Sequence, residues 1–346
     1  MLDTWHIPAP PAGLCQRVRA AIDAKTKPPG SLGRIEDLAV QMALAQGTDA
    51  PRPEACLLLF AGDHGIVAEG VSAWPQEVTS QMVLNFLSGG AAANVFARAN
   101  GADVIVADAG VASELPDHPA LRRAGLRRGT RNAAVEDALT REEVTAALDF
   151  GADLAQEATA AGARVILLGE MGIGNTSTAA LLAHSVAGLP LAGLVGPGAG
   201  LDKPGVAAKL GVLRRAAARH PGRLAPAAAL EAFGGLEIAA MTGAAIAAAA
   251  SGALVVVDGY IATASSLLAT VARPEIAPYL VHAHQSGEAG HRLMIEHLGV
   301  RPLLDLELRL GEGTGGLLAL PLLRAASAML TEMATFESAG VAGREG

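Results

Sequence analysis

Short apolar runs recur along the chain, each ending in a glycine-containing turn with a helix-like stretch behind it. They occupy 56–61, 104–107, 165–168, 254–257 and 279–282. None alternates with polar residues, as expected of strands buried on both faces of a parallel sheet. Strands and helices in alternation predict a doubly wound α/β fold. The stretch 303–310 differs: it reads Leu-Leu-Asp-Leu-Glu-Leu-Arg-Leu, the period-two pattern of an edge or half-exposed strand. Residues 14–24 and 317–333 read as helices outside this rhythm, and the two chain ends are expected to pack together as a smaller unit. Residues 238–257 carry no charge and are long enough to cross a bilayer. An Ala-rich helix over 241–250, stopped at Gly252 and followed by a strand over 253–257, accounts for them without a membrane.

In doubly wound sheets, ligands sit beyond the carboxyl ends of the strands, so the turns are where chemistry is expected. The turn at 169–178 reads Gly-Glu-Met-Gly-Ile-Gly-Asn-Thr-Ser-Thr and opens a helix. Its glycines allow close backbone approach, and free N–H groups at a helix start hold phosphate. The loop 196–203 is also glycine-rich and ends in Lys203, a candidate cation for phosphate, although the P-loop ending is missing. The stretch 311–316 has the form G-x-G-x-x-G of a dinucleotide fold. Glu312 at its variable position would repel a pyrophosphate, and a carboxylate between glycines at a strand end is better placed as a general base. His64, His282 and His284 resemble metal ligands, but no third ligand stands at a recognisable spacing, so no metal is expected.

Composition narrows the partners. Of 346 residues, 51% are hydrophobic and 17% charged, a globular balance with length enough for one large or two modest domains. Aromatics at 3% and a net charge of -8 argue against nucleic acid, which needs stacking platforms and basic surface. A small phosphate ligand needs only local donors. Cys15 and Cys56 form no CxxC pair, and the first 13 residues lack the pattern of a secretory leader. The expected compartment is the cytoplasm, with no membrane contact.

Six blocks carry a resemblance: 27–33 (Lys-Pro-Pro-Gly-Ser-Leu-Gly), 60–65 (Phe-Ala-Gly-Asp-His-Gly), 169–176, Asp258-Gly259, 284–288 (His-Gln-Ser-Gly-Glu) and 311–315. In this order, from about residue 25 to about 324, they resemble the nicotinate-nucleotide:dimethylbenzimidazole phosphoribosyltransferases of cobalamin assembly. The resemblance implies a Rossmann-like sheet of about six strands in a large domain at 30–310. It also implies a small helical domain made of 1–29 with 311–346, a homodimer, and no cofactor. The implied substrates are nicotinate mononucleotide and 5,6-dimethylbenzimidazole or a related base, joined with inversion at the anomeric carbon. It implies Glu312 as the catalytic base, with Glu170 beside the ribose. Ser72, Gln81 and Met171 match the base pocket, and Gly172, Gly174 and Asn175 the nucleotide loop. Gly198, Gly200, Lys203, Ser286 and Gly287 match the phosphate side, and Gly313 flanks the base. Met171 stands where the family often has Leu, which bears on base selectivity. Other readings of the same residues are an NAD(P)-dependent oxidoreductase using 311–316, a non-catalytic nucleotide-binding protein, and a metal-dependent phosphatase using His64, His282 and His284.

Overall fold

The computed structural model describes Leu2 and residues 5–342. Its sheet has six strands: β1 (Ala55–Gly62), β2 (Asp103–Gly110), β3 (Leu121–Arg123), β4 (Val165–Met171), β5 (Leu254–Val257) and β6 (Leu280–His282). All pair in parallel, in the order β3-β2-β1-β4-β5-β6. β1 and β5 are buried along their whole length, which explains their unbroken apolar sequences. The winding direction reverses between β1 and β4, and there the register sets Phe60 beside Glu170 and Ala61 beside Met171. This reversal opens the crevice in which such sheets bind ligands.

One expected strand is corrected. Residues 303–310 form no ladder: Leu304 makes a single parallel bridge to His284, and Glu307 turns back at a φ of 56°. The alternation there leaves Leu306 and Leu310 on the surface. The sixth strand is β3, in a Pro-broken basic stretch that gave no strand signal.

The uncharged segment becomes helix Leu236–Ala250 followed by β5. That helix packs along helix Arg141–Ala160 almost backbone to backbone: Gly151 lies against the Ala240 carbonyl and Gly243 against the Leu148 carbonyl. A core poor in aromatics is filled by this close approach of Ala and Gly surfaces. Gly151→Leu should therefore cost about 3 kcal/mol, the upper end of overpacking, read as a lowered urea midpoint.

Helix Thr314–Thr331 has the length and hydropathy of a bilayer span but packs on helix Arg34–Gln46 and β4. The chain ends meet as well. Thr26 donates its N–H to the Ala334 carbonyl at 3.0 Å, Phe336 to that of Ala24 at 3.2 Å, and Lys25 Nζ to that of Met333 at 2.6 Å. Buried side chains run without a break from Leu14 through the sheet to Leu330. Residues 1, 3, 4 and 343–346, part of the expected small unit, lie outside the described residues.

Candidate active site

A cavity of about 320 Å³ lies over the carboxyl ends of β4 and β5 and the loop after β6. Its apolar lining includes Trp74, Val78, Met82, Met171 and Ile173; its polar lining includes Asn175, Thr176, Ser286, Glu288 and Arg309. Glu170, Glu312 and His284 complete it.

Glu312 sits in a left-handed turn, with φ values of 84°, 61° and 77° at Gly311, Glu312 and Gly313. For a residue with a side chain this costs about 1–3 kcal/mol and persists only where the surroundings impose it. Here the Glu312 N–H donates to the Glu170 carbonyl at 3.2 Å, and the Thr314 hydroxyl to that of Gly311 at 2.7 Å. Gly169 in β4 lets the turn lie directly on the strand. The Glu312 carboxylate accepts one N–H, from Ala93 at 3.3 Å. Burial raises its pKa above the usual carboxylate range, and Asp258 adds to the rise. A base of raised proton affinity facing an apolar lining is suited to taking a proton near neutral pH.

Glu170, the penultimate residue of β4, accepts a hydrogen bond from the Asn175 amide. Burial, reinforced by Asp258, Glu237 and Glu312, pushes its pKa up to about 8. The folded protein thus keeps this proton to about pH 8, whereas an unfolded chain loses it near its ordinary value of about 4.3. The stabilisation is complete below that ordinary value and is lost as pH rises toward 8. The melting temperature of the ligand-free protein should fall between pH 5 and pH 8, and less steeply in Glu170→Gln. Scanning fluorimetry across that range gives the comparison.

One buried lysine, Lys209, stands behind the cavity wall at Thr176. Its Nζ is buried and donates to Thr176 Oγ1 at 2.8 Å, in the first turn of helix Asn175–Ala187. Burial lowers its pKa to about 8, against the pull of Glu288. Glu288 is raised by burial, opposed by Lys209, Arg309 and the Gly198 amide. A buried cation, a helix N-terminus and a hydroxyl meeting here suit a phosphate dianion.

Beneath the turns lie buried polar links. His64 joins Glu237 and Thr178, each at 2.8 Å, and Asp63 accepts from the Thr79 hydroxyl at 2.6 Å. Thr79 in turn accepts the Ile173 N–H at 3.1 Å, tying the cavity loop to β1. Burial lowers His282 to about 4 and His291 to about 3, so both are neutral at pH 7. His291 Nδ1 accepts the Ser286 N–H at 2.7 Å, so its Nε2–H faces Thr263 at 2.9 Å. These histidines position loops. No group of three or more His, Cys, Asp or Glu fit to hold a metal occurs among the described residues.

The expected site residues divide. Glu312, Glu170, Met171, Gly172, Asn175, Gly198 and Ser286 line the cavity together. Gly174 caps helix Asn175–Ala187, Gly313 follows Glu312, and Gly287 bonds to the Leu308 carbonyl at 2.9 Å. Gly200 lies in the loop before helix Lys203–Ala218. Ser72 and Gln81 fall outside the lining, and Lys203 is exposed. Ser72 builds the turn that presents Trp74, bonding its N–H at 3.1 Å. Gln81 points to solvent while its neighbour Met82 faces the cavity. On helix Lys203–Ala218 the inward residue is Lys209, in register with buried Val212, Leu213 and Ala216. A lysine standing on an apolar helical stripe was the available signal for it.

The amides of Gly313 and Gly316 are taken by the Asp258 carboxylate, at 3.2 and 2.9 Å. They are therefore occupied where a dinucleotide fingerprint would offer N–H groups to a pyrophosphate. A second cavity, of about 300 Å³, lies past β2 and β3. Its Arg123 is engaged by the Leu115 and Pro116 carbonyls, and its Arg127 by Glu143 and the Gly129 carbonyl.

The sequence model of a family described as "Phosphoribosyltransferase" matches residues 7–341. The chain belongs to this family. It is 51% identical over 327 residues to the nicotinate-nucleotide–dimethylbenzimidazole phosphoribosyltransferase of Cupriavidus necator, covering 94% of each chain. The enzyme of the same name from Deinococcus radiodurans is 49% identical over 325 residues, with 92% of this chain and 89% of the relative covered. The crystal structure of CobT from Thermus thermophilus superposes with a TM-score of 0.91 at 46% identity, covering 96% of this chain and 99% of that one. The resemblance read from the six sequence blocks is thereby shown, and the chain is a phosphoribosyltransferase with that family's six-stranded parallel fold.

Proposed function

We propose that this enzyme transfers the 5-phosphoribosyl group of nicotinate mononucleotide to 5,6-dimethylbenzimidazole or a related base. The observation that carries the reading is Glu312: a buried carboxylate of raised proton affinity, fixed in a strained turn at the wall of a cavity with a large apolar lining. In the donor, the bond from C1′ to the pyridinium nitrogen breaks, and its electron pair neutralises the ring, so the leaving group needs no acid. The lone pair of the incoming base forms the new bond to C1′ from the opposite face, which inverts the centre. The attacking base then carries positive charge, and its remaining N–H gives its proton to Glu312. Lys209 and the start of helix Asn175–Ala187 hold the 5′-phosphate, and Trp74, Met82 and Met171 enclose the aromatic base. Glu170, protonated at neutral pH, donates to a ribose oxygen. Much of the acceleration then comes from fixing the two reactants on either side of the sugar.

We read the small unit as 1–29 with 311–346, the assembly as a homodimer, and the compartment as the cytoplasm. Incubating the purified protein with nicotinate mononucleotide and 5,6-dimethylbenzimidazole tests the central reading. Nicotinate and the α-riboside 5′-phosphate should appear in equal amounts by chromatography with mass detection. Absence of both, from folded protein offered a panel of benzimidazoles, purines and phenols, overturns it.

A further inference from the structure

The strained turn that carries Glu312 is anchored to β4 by one backbone hydrogen bond, Glu312 to the Glu170 carbonyl. Its other anchor is a side chain. Asp258, 3% exposed at the carboxyl end of β5, accepts the Gly313 N–H on one oxygen and the Gly316 N–H on the other. We propose that Asp258 is a positioning residue for the reaction: by holding the first turn of helix Thr314–Thr331 against β5, it fixes the left-handed backbone of Glu312 and aims that carboxylate at the cavity. The inference rests on reading Glu312 as the base.

Three features separate this from an ordinary helix cap. First, the bonded amides begin at the residue directly after the base, so a shift of Asp258 is transmitted to Glu312 through one peptide unit. Second, Asp258 is itself fixed: His284 Nε2 lies 3.6 Å from Oδ1, and the His284 ring fills the space left by the absent side chain of Gly315. His284 lines the cavity, so β5, the loop after β6 and the base-bearing turn are joined at one carboxylate. Third, Asp258 acts electrostatically on Glu312. The charged and polar groups acting on Glu312 are Asp258 from β5, Glu170 from β4 and the Ala93 N–H from helix Ala92–Ala99, with His284 behind Asp258. Of these, Asp258 favours the protonated base, and the Ala93 N–H opposes it.

The test is Asp258→Asn, read in kcat, KM and pH profile. An amide places an NH2 group against one of the two N–H donors and removes the negative charge. Turnover should fall at least tenfold, with KM for both substrates changed less than threefold. The acid limb of kcat should move to lower pH, because Glu312 loses a neighbour that raises its pKa. In a Glu312→Gln background, adding Asp258→Asn should cost less than a further threefold, since there is no base left to aim. If the single variant keeps kcat within twofold, or if the two losses multiply, the positioning role is overturned. Near-normal turnover in Glu312→Gln alone would instead remove the base and this inference with it, so the two failures are distinguishable. Should Asp258→Asn not fold, the smaller and uncharged Asp258→Ser takes its place under the same criteria.

Discussion

Glu312→Gln should fold, bind both substrates with little change in KM, and turn over about 10³-fold more slowly, within the range of about 10²–10⁴ for a lost general base. The substitution keeps the shape of the side chain and its place in the left-handed turn, so the Ala93 N–H still finds an acceptor. What disappears is the capacity to accept the proton released as the new bond forms. In the unaltered enzyme, kcat should fall on the acid side as pH drops through the pKa of Glu312, which burial places above the ordinary carboxylate range. That limb should be missing from the residual activity of the variant. Steady-state kinetics between pH 5 and 9 decide the matter, and a variant within threefold of normal turnover removes Glu312 from the role.

Lys209→Met should act on the other half of the reaction. Methionine fills the buried channel but brings no charge, and Thr176 Oγ1 loses its 2.8 Å partner. Hydrogen bonds to charged groups are worth about 1.5–3 kcal/mol, so KM for nicotinate mononucleotide should rise on the order of 10–100-fold. With nicotinate riboside, which lacks the phosphate, the same substitution should cost less than threefold. Lys209 has a pKa near 8. The KM of the unaltered enzyme for the nucleotide should therefore climb above pH 8 as the ammonium is lost, while the variant stays flat. Equal losses with the two donors would mean that Lys209 supports the fold and does not hold phosphate.

Much of this site could be read from residue order because its parts are strand-end turns, and the glycines that shape such turns stand next to one another in sequence. Glu170 at the end of β4 and Asn175 at the start of the next helix flank such a turn, Glu312 lies in one, and all line the cavity. Parts delivered by helices were harder to place. Which residue of a helix faces inward depends on a phase of 100° per residue; Gln81, implied by the resemblance, is exposed, and its neighbour Met82 lines the cavity. Lys203 stands beside glycines in sequence, whereas Lys209 lies six residues further along on the apolar stripe. Strand assignment failed in a related way. Alternation at 303–310 has the period of a strand, but a strand also needs a continuous ladder, and there the bonds to the segment after β6 are interrupted after Leu304, with Glu307 turned back. The three residues of β3 are too few for any period to register, and they are strand because β2 lies beside them. Asp258 shows the remaining limit: its partners are amides more than 50 residues away, which no local pattern connects.

The scarcity of aromatics has a practical side. The chain has two tryptophans. Trp5 is partly buried against the core near the start of the chain, whereas Trp74 stands half exposed at the cavity, its indole N–H given to the Ala199 carbonyl at 2.8 Å. Indole emission from this protein is therefore a sum of two sources, only one of them at the cavity. With Trp5→Phe, the whole indole signal would come from Trp74, which on the proposed reading encloses the bound aromatic base. The enzyme then carries its own optical gauge of occupancy, and binding of bases that are never turned over becomes measurable without a label.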